Sequence, residues 1–250
     1  MDLGAVGTAG ASEAVLEVRD VAKDYVGGDG TRLRVLDGVS LAVPRGEMVA
    51  IVGESGAGKS TLLHVLGALE RPSAGEVRLD GESLAGQSDT VLAVLRNRLV
   101  GFVFQFHHLL REFTALENVM MPLRIAGQPP RDARERAAAL LDRVGLAARL
   151  HHRPGALSGG EQQRAAVARA LAAEPAVVLA DEPSGNLDQE NAERLHELFA
   201  GLAREQQLGL VVVTHNPALA ARAQRVMRLA GGRLHDVTQV DRLDEPRRRA

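Results

Sequence analysis

The chain has no cysteine and no tryptophan, and only one tyrosine and 5 phenylalanines among its 250 residues. Without cysteine there is neither disulfide nor thiolate-bound metal, and a reducing compartment suits such a composition. Aromatics are so scarce that any one of them at a site carries information. No run of about 18 apolar residues occurs, so no direct insertion into a membrane is expected. The N-terminus lacks a basic segment followed by an apolar stretch, so no signal peptide is expected. A formal net charge of -2 leaves no basic field, and nucleic acid is not an expected partner. What is abundant is apolar surface, at 45% of residues, in a length suited to one α/β domain or one domain with a subdomain.

One stretch organises the rest. Gly53-Glu54-Ser55-Gly56-Ala57-Gly58-Lys59-Ser60 fits the phosphate-binding pattern G-x-x-x-x-G-K-[S/T] at every fixed position. Before it, Met48 to Val52 is the short apolar run of a buried parallel strand. After it, Thr61 to Gly67 has apolar residues at helical spacing. Strand, glycine-rich turn and helix N-terminus together make an anion site, because backbone N–H groups and the helix dipole converge there. Lys59 would reach the β- and γ-phosphates, and the Ser60 hydroxyl would ligate Mg²⁺.

Strands are expected at Val15 to Val18, Leu33 to Leu36, Val39 to Val43, Glu76 to Leu79, Val100 to Phe104, Ala176 to Ala180 and Leu210 to Thr214. A closing hairpin is expected around Gly231-Gly232. Helical periodicity from about Thr114 to Val144 is broken by Gly127-Gln128-Pro129-Pro130. Another helix runs from Ser158 to about Ala173, and one capped by Asp188 runs to about Gln207. Adjacent histidines at 107–108 and 151–152 do not face one another on a helix and have no third ligand at metal spacing, so no metal site is expected there. Residues 1–12 read as a disordered tail and 239–250 as a charged, solvated one.

Several positions admit two readings from their residues alone. Tyr25 is an ordinary half-buried strand residue or a stacking surface for a purine. Ser158 to Glu161 is a capping box or, with Gly159 and Gly160 keeping side chains away, a second anion site. Asp181 and Glu182 end an apolar strand, which is where a phosphate-loop fold holds Mg²⁺ and where a second carboxylate can orient or deprotonate water. His215, at the end of the last buried strand, hydrogen-bonds a γ-phosphate or caps the next turn of chain.

In order and spacing, these motifs resemble the ATP-binding-cassette (ABC) ATPases over about residues 14 to 238. Leu157-Ser158-Gly159-Gly160-Glu161 matches the signature that separates that family from other phosphate-loop ATPases. The resemblance implies an α/β fold with a RecA-like core, an antiparallel β subdomain and an α-helical signature subdomain inserted over about 106–164. It implies one ATPase domain over 13–238 with ATP and Mg²⁺ as ligands. Nucleotide contacts would come from Tyr25 on adenine and from Gly53, Glu54, Ser55, Gly56, Ala57, Gly58, Lys59, Ser60 and Thr61. Mg²⁺ would be held by Ser60, Gln105 and Asp181. Glu182 would be the catalytic base, with Lys59, Gln105 and His215 assisting. Ser158, Gly159, Gly160, Glu161 and Asp188 would meet the ATP held by a second copy, so a homodimer is implied.

Within the family, Gln105 to Leu110 followed by Phe113 to Val119 is similar to the ATPases of bacterial lipoprotein-releasing systems, in a wider group that includes MacB-like exporters and FtsE-like division ATPases. Ser184 and Gln162 stand where that group more often has Thr and Arg. The likeness implies a peripheral subunit on the cytoplasmic face of a bacterial inner membrane. Two integral membrane subunits of the LolC/LolE type would dock near Phe106 to Leu116, where apolar residues either pack a core or line a groove. A MacB-like exporter, an FtsE-like complex and a soluble ABC ATPase remain alternatives.

Overall fold

The central strands are apolar on both sides, and each side packs on a different layer. The computed structural model describes residues 14–239. The tail expected over 1–12, and all but the first residue of the one expected over 239–250, lie outside the described residues. The strands β3 (Met48–Val52), β6 (Val100–Phe104), β7 (Val177–Asp181) and β8 (Gly209–Val213) pair in parallel in the order β3-β8-β7-β6. The hairpin β9 (Arg225–Ala230) and β10 (Arg233–Asp236) extends the sheet, with β9 parallel to β3.

Because side chains alternate along a strand, each strand feeds two cores. Met48, Ala50, Val178, Ala180, Leu210 and Val212 face the helices α3 (Ala115–Ile125), α4 (Pro130–Arg143), α5 (Gly159–Ala170) and α6 (Gln189–Gln206). Val49, Ile51, Val177, Leu179, Val211 and Val213 face α1 (Lys59–Leu66), α2 (Asp89–Leu99) and a second, antiparallel sheet. That sheet has the order β2-β1-β4-β5, built from β1 (Ala14–Val26), β2 (Arg32–Pro44), β4 (Ala74–Leu79) and β5 (Glu82–Ser83).

Two expectations need correction, and one helix had no expectation. The two strands expected at Leu33 to Leu36 and Val39 to Val43 are one strand, β2. Gly38 at φ 68° inserts an extra residue between the pairs Leu36–Lys23 and Val39–Val21, and this bulge breaks the alternation. The bulge turns the Asp37 amide toward Gly232, whose carbonyl it meets at 2.9 Å, tying the two sheets together. Helix α5 stops at Ala170 rather than about Ala173. Helix α2 was not anticipated, although its cap (Ser88) and its buried face (Leu92, Leu95, Leu99) were present in the pattern.

Chain between β6 and β7 forms α3, α4 and α5. Its entry is pinned by Asn118, which is 1% exposed. The Asn118 amide accepts from the Leu110 N–H at 2.7 Å and donates to the carbonyls of Leu110, Phe113 and Thr114 at 3.0–3.1 Å. One side chain thus bonds four backbone groups of the 110–114 turn. Asn118→Ala should lower stability by about 1–3 kcal/mol in urea titration, by leaving the Leu110 N–H and the Phe113 carbonyl without their partner. Hydrogen exchange at Leu110 should rise with it.

Candidate active site

Parallel pairing brings the ends of β3, β8, β7 and β6 to one edge, and the loops that leave them form the site. After β3 comes the 53–58 loop. Gly58 sits at φ 97° as the N-cap of α1, with no side chain capping the helix. A Cβ there would lie 2.7 Å from Val35 Cγ1, and one at Gly53 would lie 2.5 Å from the Leu229 carbonyl oxygen. Only glycine lets the loop close this tightly over the helix start. Lys59 reaches back across the loop, its ammonium donating to the carbonyls of Gly53 and Glu54 at 2.8 Å each. Ser60 is exposed beside it, and Thr61 is half-buried.

Asp181 closes β7, opposite Phe104 of β6 and Val213 of β8. Glu182 comes next at φ 43°, a left-handed conformation that a glutamate adopts only when its surroundings impose it. Its amide donates to the Val213 carbonyl at 2.9 Å, which holds the backbone in place. The twist aims the carboxylate at His215. Oε1 lies 2.8 Å from His215 Nδ1, and Oε2 accepts from the His215 amide at 3.2 Å. The carboxylate is mostly covered and the imidazole 73% exposed, so His215 is the accessible half of the pair. An open cleft of about 1360 Å³ is lined by Gly53 to Ala57, His215 to Ala218 and strand β9.

Gln105 leaves β6 beside this pair. Its amide nitrogen donates to Asn186 Oδ1 at 3.1 Å, and the Asn186 amide donates to the Gln105 carbonyl at 3.1 Å. The Gln105 side-chain oxygen is thereby left as the free acceptor. Tyr25 stands apart from the carboxylates, on β1 over α1, 38% exposed, its hydroxyl donating to Glu70 at 2.7 Å.

Ser158 and Glu161 form a reciprocal cap on α5. The Glu161 amide donates to Ser158 Oγ at 3.2 Å, and the Ser158 amide donates to the Glu161 carboxylate at 2.8 Å. The second residue of the helix, Gly160, is buried against Asn191, where a Cβ would lie 2.5 Å from Oδ1. Asn191 in turn bonds Asp188, the N-cap of α6, at 2.7 Å through its amide and 2.9 Å through its backbone N–H. So the start of α5 and the start of α6, distant in sequence, form one surface. The capping role expected of 158–161 is present in the geometry; of the two glycines, Gly159 faces open space and Gly160 packs on Asn191.

Sequence reasoning missed the residues that hold this site from α5. Gln163 donates to the Phe104 carbonyl at 3.3 Å. Arg169 donates to the carbonyls of His107 and His108 at 2.7 and 2.6 Å, and burial pushes its guanidinium down. A cation among Ala165, Ala166, Val167, Ala168 and Ala170 was the available signal, since a charge in such a run must be met across a packing face. The half-buried clamp leaves Phe106, Leu110 and Phe113 exposed, while Leu116 is core and Leu109 packs against it. Of the apolar residues expected to line a groove or fill a core, three are exposed and two are packed inside.

Comparisons with known proteins agree with this geometry. The family model described as ABC transporter matches residues 36–185. The lipoprotein-releasing system ATP-binding protein LolD of Geobacter metallireducens is 54% identical over 221 residues, covering 88% of this chain and 98% of that protein. Its namesake in Myxococcus xanthus is 53% identical, covering 89% and 99%. A solved dimeric ATP-binding cassette, in a post-hydrolysis state bound to ADP and Pi, is 36% identical with a TM-score of 0.82, covering 89% of this chain and 98% of that one.

Arg149, with the Ser158 amide second, holds the Glu161 carboxyl down to about 2 from an ordinary 4.5. A lowered carboxyl contributes stability that is complete above 4.5 and fades as pH falls toward about 2. Glu161→Gln should therefore cost about 1 kcal/mol at neutral pH in urea unfolding, and the difference from the parent should close through that acid window.

Proposed function

Because the chain belongs to the ABC transporter family, we propose that it is the ATP-hydrolysing subunit of a lipoprotein-releasing system of the bacterial inner membrane. The observation that carries the lipoprotein assignment is end-to-end likeness at 54% identity to relatives of that name, reaching 98% of one relative's length. No helix among the described residues is long and apolar enough to cross a membrane. That leaves the contact with the bilayer to partner subunits on its cytoplasmic face.

ATP would place its phosphates on the 53–58 loop, in reach of the first-turn N–H groups of α1 and of Lys59. The ammonium now bridging two loop carbonyls would turn to the β- and γ-phosphate oxygens. The residues present suit Mg²⁺: Ser60 hydroxyl, Gln105 amide oxygen and Asp181 carboxylate are all oxygen donors, and Asn186 already holds the Gln105 nitrogen away. When bound, the cation would neutralise charge on the phosphates.

Glu182 would take a proton from water as the water oxygen bonds the γ-phosphorus and the bond to the ADP oxygen breaks, giving ADP and phosphate. In the resting geometry both its oxygens are engaged by His215. A γ-phosphate accepting from the exposed imidazole would free Oε1 for water, so occupancy of the nucleotide site and readiness of the base are linked. The Ser158 to Gly160 helix start and Asp188 would close on the nucleotide of a second copy, as the dimeric form of the structural neighbour suggests. Phe106, Leu110 and Phe113 offer an exposed apolar surface to the membrane subunits, on a loop clamped by Arg169. Closure of the dimer would then pull on the docked subunits.

Glu182→Gln should cut ATP turnover by about 10²-fold or more while ATP still binds, since general base catalysis is worth about 10²–10⁴. Turnover near the parent rate would remove Glu182 from its role. Lys59→Ala should instead weaken ATP binding itself, read by nucleotide titration. Glu182→Gln protein used with ATP-Mg²⁺ as bait in solubilised membranes should retain two related membrane subunits with lipoprotein. Retention of a single membrane species with an outer-membrane export partner would redirect the assignment to an exporter.

A further inference from the structure

We propose that Glu70 is a positioning residue for the nucleotide base, which fixes the ring of Tyr25 through its hydroxyl and so keeps a stacking surface ordered before ATP arrives. The inference rests on the reading that Tyr25 stacks on adenine.

Tyr25 lies one residue from the end of β1, where a side chain on a strand tip would otherwise sample several rotamers. Two contacts oppose this. The Tyr25 hydroxyl donates to Glu70 Oε2 at 2.7 Å. Lys23 lies 5.0 Å from the ring centroid, over the ring, and its ammonium is 3.0 Å from the same Glu70 oxygen. That ammonium is fixed in turn by the Arg71 carbonyl at 2.9 Å.

The other Glu70 oxygen lies 3.3 Å from His64 Nδ1 on α1. Glu70 therefore joins β1 and α1 around one aromatic ring, and it is the group that both the ring's edge and the ring's cation share. Lys23 occupies one ring position, so the base has the remaining exposed surface to use. Burial first, and then the Glu70 carboxylate, push the phenol up, so the hydroxyl remains a donor. His64 belongs to the helix that begins at Lys59, so the same network ties the ring to the element that leaves the phosphate loop. Ordering a rotamer-rich side chain only on binding weakens affinity by about two- to ten-fold, which is the cost this network removes.

The test is steady-state ATPase kinetics on the purified chain with Glu70→Ala, Tyr25→Phe, the double variant, Glu70→Gln and Tyr25→Ala. Glu70→Ala should raise KM for ATP about three- to ten-fold with kcat within about two-fold. Tyr25→Phe keeps the ring and removes the hydroxyl, so it should raise KM similarly. The double variant should match either single variant, because both remove the same link. Glu70→Gln keeps an acceptor and should recover most of the loss. An unchanged KM in Glu70→Ala, or multiplying effects in the double variant, overturns the inference. Should Tyr25→Ala itself leave KM unchanged, the stacking reading falls and the inference with it. A large Tyr25→Ala effect beside a silent Glu70→Ala would remove only the role of Glu70.

Discussion

Parallel pairing of β3, β8, β7 and β6 is the constraint on which the site depends. In a parallel sheet all strands leave by the same edge, so the loops after Val52, Val213, Asp181 and Phe104 must meet there. The register decides the detail. Asp181 stands opposite Val213, which puts Glu182 and His215 one and two residues beyond the paired ends, close enough to bond. A slip of one residue would move the carboxylate by about 3.3 Å and turn it to the other face. That register is strongly held, because both faces of these strands are buried and every slip exchanges one core for the other.

Against this rigid edge, the loop that leaves β6 is held by side chains rather than by sheet. Asn118 bonds the 110–114 turn, Gln163 the Phe104 carbonyl, and Arg169 the carbonyls of His107 and His108. Arg169 is a half-buried cation whose bonds in this structure go to carbonyls rather than a carboxylate. What it provides is a fixed relation between the loop and α5, whose other end carries Ser158 to Gly160. Movement of the apolar loop surface therefore has a stiff path to the helix start. Gly160 against Asn191 continues that path to Asp188.

Glu182 at φ 43° and Gly58 at φ 97° both turn in the left-handed region, which strains the glutamate but not the glycine, since glycine has no Cβ. Each is held by a neighbour whose own position is secure: the Val213 carbonyl for Glu182, and β2 at Val35 for the loop.

Local chemistry was legible in the chain. Glycine spacing announced the loop around Gly53 to Gly58, apolar runs announced the central strands, and Ser158 and Asp188 announced the helices they cap, because these depend on backbone geometry within a few residues. Even the bulge at Gly38 had a local cause, though alternation alone made β2 look like two strands. Contacts between distant residues were decided only by the tertiary structure: Glu182 with His215, Tyr25 with Glu70, Arg169 with the carbonyls at 107 and 108. Those pairings arise from strand order and helix packing, which are set by how whole apolar faces are buried together. No spacing along the chain encodes them.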